Sequence, residues 1–164
     1  MHEWIAEHGG IPVRERVGHS FMKATLRKRD GLFGGELAGH YYFRDHYYAD
    51  CSLLAVIEVL NLLRTTGKPL SALVAPLRRY AKSGEINFEV ADKQAKMDEL
   101  AYRYADARID YLDGITISYP TWWANVRPSN TEPFLRLVLE ASTPEELERL
   151  KAELIGMLGQ PAEH

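Results

Sequence analysis

A short polar segment carries the side chains in this sequence that are best suited to binding an anion. The seven residues 127–133 read Arg-Pro-Ser-Asn-Thr-Glu-Pro and lie between two apolar stretches. Arg127 offers a guanidinium fork that matches a phosphate through paired, charge-assisted hydrogen bonds. Ser129, Asn130 and Thr131 add further donors, and a turn here could direct backbone N–H groups toward the same anion. The alternative is an ordinary polar turn, because Pro, Ser and Asn are common turn formers.

A second segment, at 35–40, has the chemistry to recognise a sugar. It reads Gly-Glu-Leu-Ala-Gly-His and places Glu36 and His40 four residues apart on a glycine-rich backbone. A carboxylate can accept hydrogen bonds from two neighbouring hydroxyls, and an imidazole can donate to a hydroxyl or a phosphate. From chemistry alone we favour the simpler interpretation, a glycine hairpin whose Glu and His side chains are solvated.

A third candidate, His19, directly precedes the residue at which a helix is predicted to begin, Ser20. A histidine at the start of a helix could contact a phosphate oxygen, since helix N-termini attract anions. The residues alone are equally consistent with a histidine that only neighbours the helix cap.

The elements expected to position the second and third candidates lie in residues 1–80. Periodicity and turn signals predict a helix at 3–8 ended by Gly9-Gly10, a strand at 11–17, a helix from Ser20 to about Arg29, short strands at 32–33 and 41–43, a helix at 51–63 and a short helix at 70–80. The polar residues of the 51–63 helix form one narrow stripe, which predicts that most of that helix is buried.

Residues 81–164 are predicted to form a second domain that positions the Arg127 segment. We expect a strand at 86–90, a helix opened by Asp92, strands at 108–112, 114–119 and 134–140, and a last helix capped by Thr143. Pro144 and Glu146 complete the start of that helix, and leucines at 147, 150, 154 and 158 form its buried side. The order β-α-β-β-β-α indicates a compact α+β domain.

Composition excludes several classes of function. A formal net charge of -3 argues against nucleic-acid or anionic-membrane binding through a general positive field. The single cysteine, Cys51, cannot form an internal disulfide and lies among apolar residues, so we expect a buried thiol in a cytoplasmic protein. The sequence has neither a long apolar run nor a signal-peptide pattern.

A metal site is not predicted. His40, Asp45, His46, Asp50 and Cys51 are close in sequence but do not have a compact ligand spacing, and aromatic residues fill the gaps. We therefore predict no metal ligands in this chain.

Three segments resemble the α-D-phosphohexomutases of the phosphomannomutase/phosphoglucomutase type, in the expected order. Residues 127–133 and the following Phe-Leu-Arg-Leu-Val-Leu-Glu resemble the phosphate-binding loop and strand of that family's fourth domain. Residues 35–40 resemble the sugar-recognition loop of its third domain, usually Gly-Glu-X-Ser-Gly-His, with Ala38 here in place of the serine. The segment from Val17 to Lys23 resembles the one whose histidine, here His19, faces the ligand.

The resemblance implies α/β plus α+β architecture: an incomplete domain 3, a mixed sheet with helices over residues 1–80, and the C-terminal domain over 81–164. It implies that Glu36, Ala38, His40 and His19 line a sugar site and that Arg127, Ser129, Asn130 and Thr131 bind phosphate. The start of the chain matches the helix after the first strand of domain 3, so we expect that strand to be absent.

The resemblance also implies an intramolecular phosphotransferase that interconverts hexose 1-phosphate and hexose 6-phosphate through a bisphosphate. The phosphoserine and the Mg²⁺ loop of the family are not found in this sequence, so we predict that Mg²⁺ is bound outside this chain and that the chain alone has no catalytic residues or turnover. Expected partners are a hexose phosphate or bisphosphate and the parent enzyme's N-terminal domains. The alternative is a structural or interaction fragment without ligand binding, which could self-associate through an exposed sheet edge. The identity of the hexose is left open.

Overall fold

The computed structural model describes residues 1–162 and divides the chain into two compact units. The first unit is Met1–Leu77, and the second begins at Arg78.

The first unit combines helices with one small antiparallel sheet. Its elements are α1 (His2–Glu7), α2 (His19–Arg29), β1 (Phe33–Gly35), β2 (Tyr41–Phe43), β3 (Ala49–Asp50), α3 (Ser52–Thr66) and α4 (Leu70–Val74), with single 3-10 turns at Arg44–His46 and Ala75–Leu77. The strands pair in the order β1-β2-β3. Both neighbouring pairs are antiparallel, so the sheet is a meander that brings the segment before β2 next to the end of β3.

Several predictions for this unit are wrong. Residues 11–17 form no strand in the described chain, because no described strand pairs with them and alternation alone cannot make a sheet. Helix α2 begins at His19 and is capped by Gly18, so Ser20 lies within the first turn and its side chain is not the cap. Cys51 was predicted to be a buried thiol, but it is half-buried and directly precedes α3.

Helix α3 is also more exposed than its sequence predicts. It contains no buried residue, and Leu53, Val56 and Leu60 are 68%, 52% and 57% exposed. The narrow polar stripe is present, but the described chain supplies no element that covers most of the apolar surface. A helix can therefore have the composition of a buried helix and still present that surface to solvent.

The second unit is a five-stranded antiparallel sheet with two helices. Its elements are β4 (Ala81–Glu89), α5 (Lys93–Arg103), β5 (Arg108–Asp110), β6 (Ile115–Ser118), β7 (Trp122–Pro128), β8 (Phe134–Ala141) and α6 (Pro144–Leu158). The strand order is β4-β8-β7-β6-β5. Strand β7 was not predicted, so the observed order has four strands between the helices where the sequence indicated three. The predicted fold class, α/β followed by α+β, is confirmed, but the described sheet of the first unit is antiparallel and not mixed as predicted.

One face of this sheet packs against α5 and α6 to form the main hydrophobic core. Strand β8 contributes Leu135, Leu137 and Leu139, and all three are fully buried. The predicted leucines of α6, at 147, 150, 154 and 158, are buried in the same core. Thr143 caps α6 as predicted, accepting from the Glu146 N–H at 3.2 Å.

The opposite face of the sheet carries polar side chains. Because side chains alternate along a strand, the residues between the core positions of β7 and β8 point away from the helices. Arg127 on β7 is the direct partner of Arg136 on β8, and Glu85 on β4 lies one strand further along. This polar face positions the predicted phosphate-binding arginine. No helix among the described residues is long and apolar enough to cross a membrane.

Candidate ligand-binding sites in the two units

In the first unit, the predicted sugar-recognition residues form a tight hairpin between β1 and β2. The Glu36 N–H donates to the His40 carbonyl at 2.9 Å, and the Gly39 N–H donates to the Glu36 carbonyl at 3.0 Å. Gly39 has a φ of 84°, a left-handed conformation that favours glycine. Ala38 lies at the exposed tip of this hairpin. The loop is therefore held by its own backbone, with Glu36 and His40 at its two ends.

The Glu36 carboxylate joins this hairpin to the start of α2. Its Oε2 accepts from the Gly18 N–H at 3.2 Å, and its Oε1 accepts a hydrogen bond from the Tyr42 hydroxyl. Tyr42 is fully buried, and this burial, followed by the contact with Glu36, raises the pKa of its phenol. Glu36 is thus held in place rather than solvated, contrary to the simpler interpretation of the hairpin.

His40 is oriented by Asp50 from the end of β3. Its Nδ1 lies 2.7 Å from Asp50 Oδ2, and the Tyr41 N–H donates to Asp50 Oδ1 at 2.9 Å. The Tyr41 N–H lowers the pKa of the Asp50 carboxyl, and the hydrogen bond with His40 acts in the same direction. When Nδ1 carries the proton, Nε2 presents a lone pair, so Asp50 can select the tautomer that faces a ligand.

The His19 ring lies beside His40. Their ring centroids are 4.3 Å apart with the rings edge to face, and His19 is also 5.6 Å from the Tyr42 ring. The structure therefore brings three predicted residues, His19, Glu36 and His40, into one cluster. Sequence reasoning missed Tyr42 and Asp50 as members of it. Their nearness to His40 in sequence was visible, but the β2–β3 pairing that brings Asp50 back to His40 was not.

In the second unit, the predicted phosphate-binding arginine is part of strand β7 and is largely buried. Arg127 Nη2 donates to Glu85 Oε2 at 3.3 Å, and Nε lies 3.9 Å from Asp113 Oδ2. Glu85 also binds Arg136, whose Nη1 is 3.2 Å from Glu85 Oε1. Arg136 forms a further close ion pair with Glu132. The guanidinium of Arg127 is thus held in a charged network rather than extended from a free loop.

The loop that follows β7 turns tightly around Ser129. The Ser129 N–H donates to the Phe134 carbonyl at 2.9 Å, which closes the loop. The Ser129 hydroxyl oxygen accepts from the N–H groups of Thr131 and Glu132, at 3.4 Å and 3.2 Å. Two successive backbone N–H groups therefore point toward one oxygen, an arrangement with the donor pattern of an anion nest. Asn130 and Thr131 are exposed beside it.

Comparison with known proteins gives the same assignment for both units. Residues 1–80 match the model for phosphoglucomutase/phosphomannomutase, alpha/beta/alpha domain III, and residues 85–157 match that for the phosphoglucomutase/phosphomannomutase C-terminal domain. A phosphomannomutase of Methanocaldococcus jannaschii is 38% identical over 158 residues, which cover 96% of this chain and 35% of the relative. A protein of Xanthomonas campestris named phosphohexose mutases is 39% identical over 141 residues, covering 84% of this chain and 32% of the relative.

A solved structure extends the similarity to three dimensions. A phosphoglucomutase/phosphomannomutase family protein from Burkholderia thailandensis superposes with a TM-score of 0.80 at 30% identity, covering 95% of this chain and 34% of that one. The two units therefore match two consecutive domains of one family of sugar-phosphate mutases. The chain belongs to the phosphoglucomutase/phosphomannomutase family. It spans about one third of the length of the relatives it matches.

Proposed function

We propose that this chain is the phosphosugar-binding part of a phosphohexomutase that interconverts hexose 1-phosphate and hexose 6-phosphate through a bisphosphate. The observation that carries this proposal is the clustering of His19, Glu36 and His40, together with the family membership of both units. A protein that binds a sugar in two orientations needs a group that can hydrogen-bond to the sugar hydroxyls in either orientation. Glu36 supplies two acceptor oxygens, and His40 supplies a ring nitrogen that Asp50 orients.

The second requirement is a group that binds the phosphate that is not being transferred. Arg127 supplies a guanidinium that Glu85 holds in position before any ligand arrives. The Ser129 loop adds the Ser129 hydroxyl, whose oxygen accepts from the backbone N–H groups of Thr131 and Glu132 and whose proton can be donated to a phosphate oxygen. Positioning and charge stabilisation dominate phosphoryl transfer, so preformed donors of this kind are what the reaction needs from such a domain.

In this proposal the chain does not carry the groups that exchange the phosphoryl group. We assign Mg²⁺ and the phosphoserine to the N-terminal domains of the parent enzyme, as the resemblance to the family implies. We expect the purified chain to show no multiple turnover with hexose 1-phosphate and a bisphosphate primer. Sustained turnover would overturn this part of the proposal.

Binding is tested by titrating the chain with glucose 1,6-bisphosphate in a calorimeter. Arg127→Ala is expected to weaken binding by about 10- to 100-fold, the equivalent of losing one charge-assisted hydrogen-bond donor. Arg108→Ala, which removes an exposed arginine of β5, has the same change in net charge and is expected to bind normally. Circular dichroism checks that each variant is folded.

The alternative function, a structural fragment without ligand binding, is favoured by one observation, the exposed apolar surface of α3. A folded wild-type chain that binds no bisphosphate would support this alternative and contradict our proposal. Equal weakening by Arg127→Ala and Arg108→Ala would also contradict it, because binding would then depend on net charge rather than on the Arg127 site.

A further inference from the structure

The histidine cluster of the first unit has the composition of a transition-metal site. His19, His40 and Asp50 each offer one ligand atom, and these three atoms all lie within 4.8 Å of one another. We propose that these three residues bind a divalent first-row transition metal such as Zn²⁺. From the sequence we predicted no metal ligands, because we compared His40 and Asp50 only with residues close to them in sequence. His19, at the start of α2, lies close to them only in the folded chain.

Each of the three side chains is positioned by a separate contact. His19 is the first residue of α2, and the hydrogen bond from the Gly18 N–H to Glu36 fixes the backbone directly before it. His40 directly precedes β2, and its Nδ1 already lies 2.7 Å from Asp50. The second oxygen of Asp50 accepts from the Tyr41 N–H, which restrains the carboxylate. A metal would therefore meet ligands whose backbones are already in place.

The donor set selects the kind of metal. Two imidazoles and one carboxylate suit Zn²⁺, Co²⁺ or Ni²⁺, whereas Mg²⁺ and Ca²⁺ prefer sites made entirely of oxygen ligands. Three protein ligands leave a fourth position open for water, and the exposed His19 ring places that position next to solvent.

A tetrahedral site requires the three side chains to move, and the hydrogen bond between His40 and Asp50 has to open. With metal–ligand bonds of about 2.0–2.2 Å, the ligand atoms of a tetrahedral site lie roughly 3.4 Å apart. The widest separation must shorten from at most 4.8 Å, and the His40–Asp50 pair must open from 2.7 Å. Both histidines bind as neutral rings, each through a nitrogen lone pair, and any proton on that nitrogen moves to the other nitrogen or to solvent.

Metal binding can be measured without any sugar, so its outcome is independent of the proposed function. Because His19 and His40 are also the predicted sugar contacts, a bound metal would compete with a phosphosugar. Only that consequence depends on the proposed function.

The direct test titrates the purified, untagged chain with Co²⁺ and follows the visible absorption of the bound ion. We expect saturable binding of one Co²⁺, displaced by Zn²⁺ and not by an excess of Mg²⁺. His19→Gln should weaken binding at least about tenfold, the lower bound found for disturbing a metal's supporting contacts. His46→Gln, which removes an exposed histidine outside the cluster, should leave binding unchanged. No visible absorption from bound Co²⁺, or equal losses in the two variants, would overturn the proposal.

A measurement on the wild-type chain covers the case in which a variant does not fold. Imidazole ¹⁵N resonances of the six histidines are recorded by NMR with and without Zn²⁺. The proposal requires that the ring nitrogens of His19 and His40 shift on binding. Shifts confined to the other four histidines would show that the metal binds elsewhere and that the proposed site is wrong.

Discussion

Arg127 and Arg136 are direct partners across β7 and β8, so two guanidinium groups lie side by side on the polar face of the sheet. Like charges in this relationship destabilise a sheet. Glu85 offsets the repulsion by binding both, through Oε2 to Arg127 at 3.3 Å and through Oε1 to Arg136 at 3.2 Å. One carboxylate therefore holds the predicted phosphate-binding arginine in place.

The first prediction is that Glu85→Gln destabilises the chain by about 1.5–3 kcal/mol, the usual range for losing hydrogen bonds to charged groups. The reason is that the amide keeps the shape of the side chain but removes the charge that both arginines share. Urea unfolding measures the change. Glu89→Gln is the matched control, because Glu89 is an exposed residue of the same strand. Equal effects of the two substitutions would show that Glu85 has no special role.

Sequence periodicity predicts local elements such as helices, but it does not predict which distant residues form this charged network. Helix α6 was found because Thr143, Pro144 and a leucine repeat are all local signals. The pairing of Arg127 with Glu85 joins residues 42 positions apart, and no local pattern reports which strands become neighbours. Strand β7 was missed because its end, Arg127-Pro128, carries turn signals that were assigned to the following loop.

The same reasoning accounts for the errors in the first unit. The alternation at 11–17 is that of a strand, but a strand exists only where another strand pairs with it. Strand β3 has two residues, too few to show the alternating pattern of a strand in the sequence. Its pairing with β2 nevertheless places Asp50 next to His40. The motif residues Glu36 and His40 were identified from sequence, while the partners that orient them depend on tertiary contacts.

The second prediction concerns Gly114, whose backbone lies against that of Arg127. Gly114 has a φ of +64°, and a Cβ there would lie 2.6 Å from Arg127 Cα and would also collide with the Val126 carbonyl oxygen. We expect Gly114→Ala to lower the free energy of unfolding by two contributions. Backbone strain in the left-handed conformation accounts for about 1–2 kcal/mol, and the steric collision accounts for about 1–3 kcal/mol. Denaturant unfolding measures the total.

Gly84→Ala separates these two costs. Gly84 has a similar φ of +72°, but a Cβ there would have no atom within 4 Å. It should therefore show the backbone strain without the collision. If Gly84→Ala destabilises the chain as much as Gly114→Ala, the close approach to Arg127 contributes nothing.

The third prediction uses Ala38, which stands where the family usually has serine in the sugar-recognition loop. Ala38 lies at the exposed tip of the hairpin, so a hydroxyl can be added without disturbing packing. If the chain binds a phosphosugar, Ala38→Ser should add one hydrogen bond worth about 0.5–1.5 kcal/mol, a 2- to 10-fold gain in affinity. Calorimetric titration with glucose 1,6-bisphosphate measures it. Leu37→Ser, which adds a hydroxyl at the neighbouring exposed position, should give no gain.

The fourth prediction is a loss of stability at alkaline pH. Burial, and then a hydrogen bond to Glu153 at 3.0 Å, raises the pKa of Tyr104 from 10.0 to about 12. Above pH 10 the unfolded chain releases this proton while the folded chain retains it, so stability falls as pH rises and the loss is complete above the folded pKa. We expect Tyr104 to account for a loss of about 1 kcal/mol near pH 11.

Urea unfolding of the wild type and Tyr104→Phe at two pH values, about 9 and about 11, measures this contribution. The difference between the two pH values should shrink by about 1 kcal/mol in the variant. Tyr102→Phe removes a phenol that is 87% exposed and should leave the difference unchanged. An identical pH dependence in wild type and Tyr104→Phe would rule out the assigned contribution.

The fifth prediction concerns the exposed apolar surface of α3. We expected self-association through a sheet edge, but α3 exposes Leu53, Val56 and Leu60, which are spaced to lie on one face of the helix. Burying one leucine is worth about 1.5–3 kcal/mol, so Leu60→Lys should weaken self-association roughly tenfold or more. Sedimentation velocity at about 100 μM protein measures the change, in the concentration range where exposed apolar surfaces associate. Tyr102→Lys adds the same charge to an exposed aromatic of the second unit and should have no such effect. A wild-type chain that stays monomeric, or equal effects of both substitutions, would show that α3 does not mediate association.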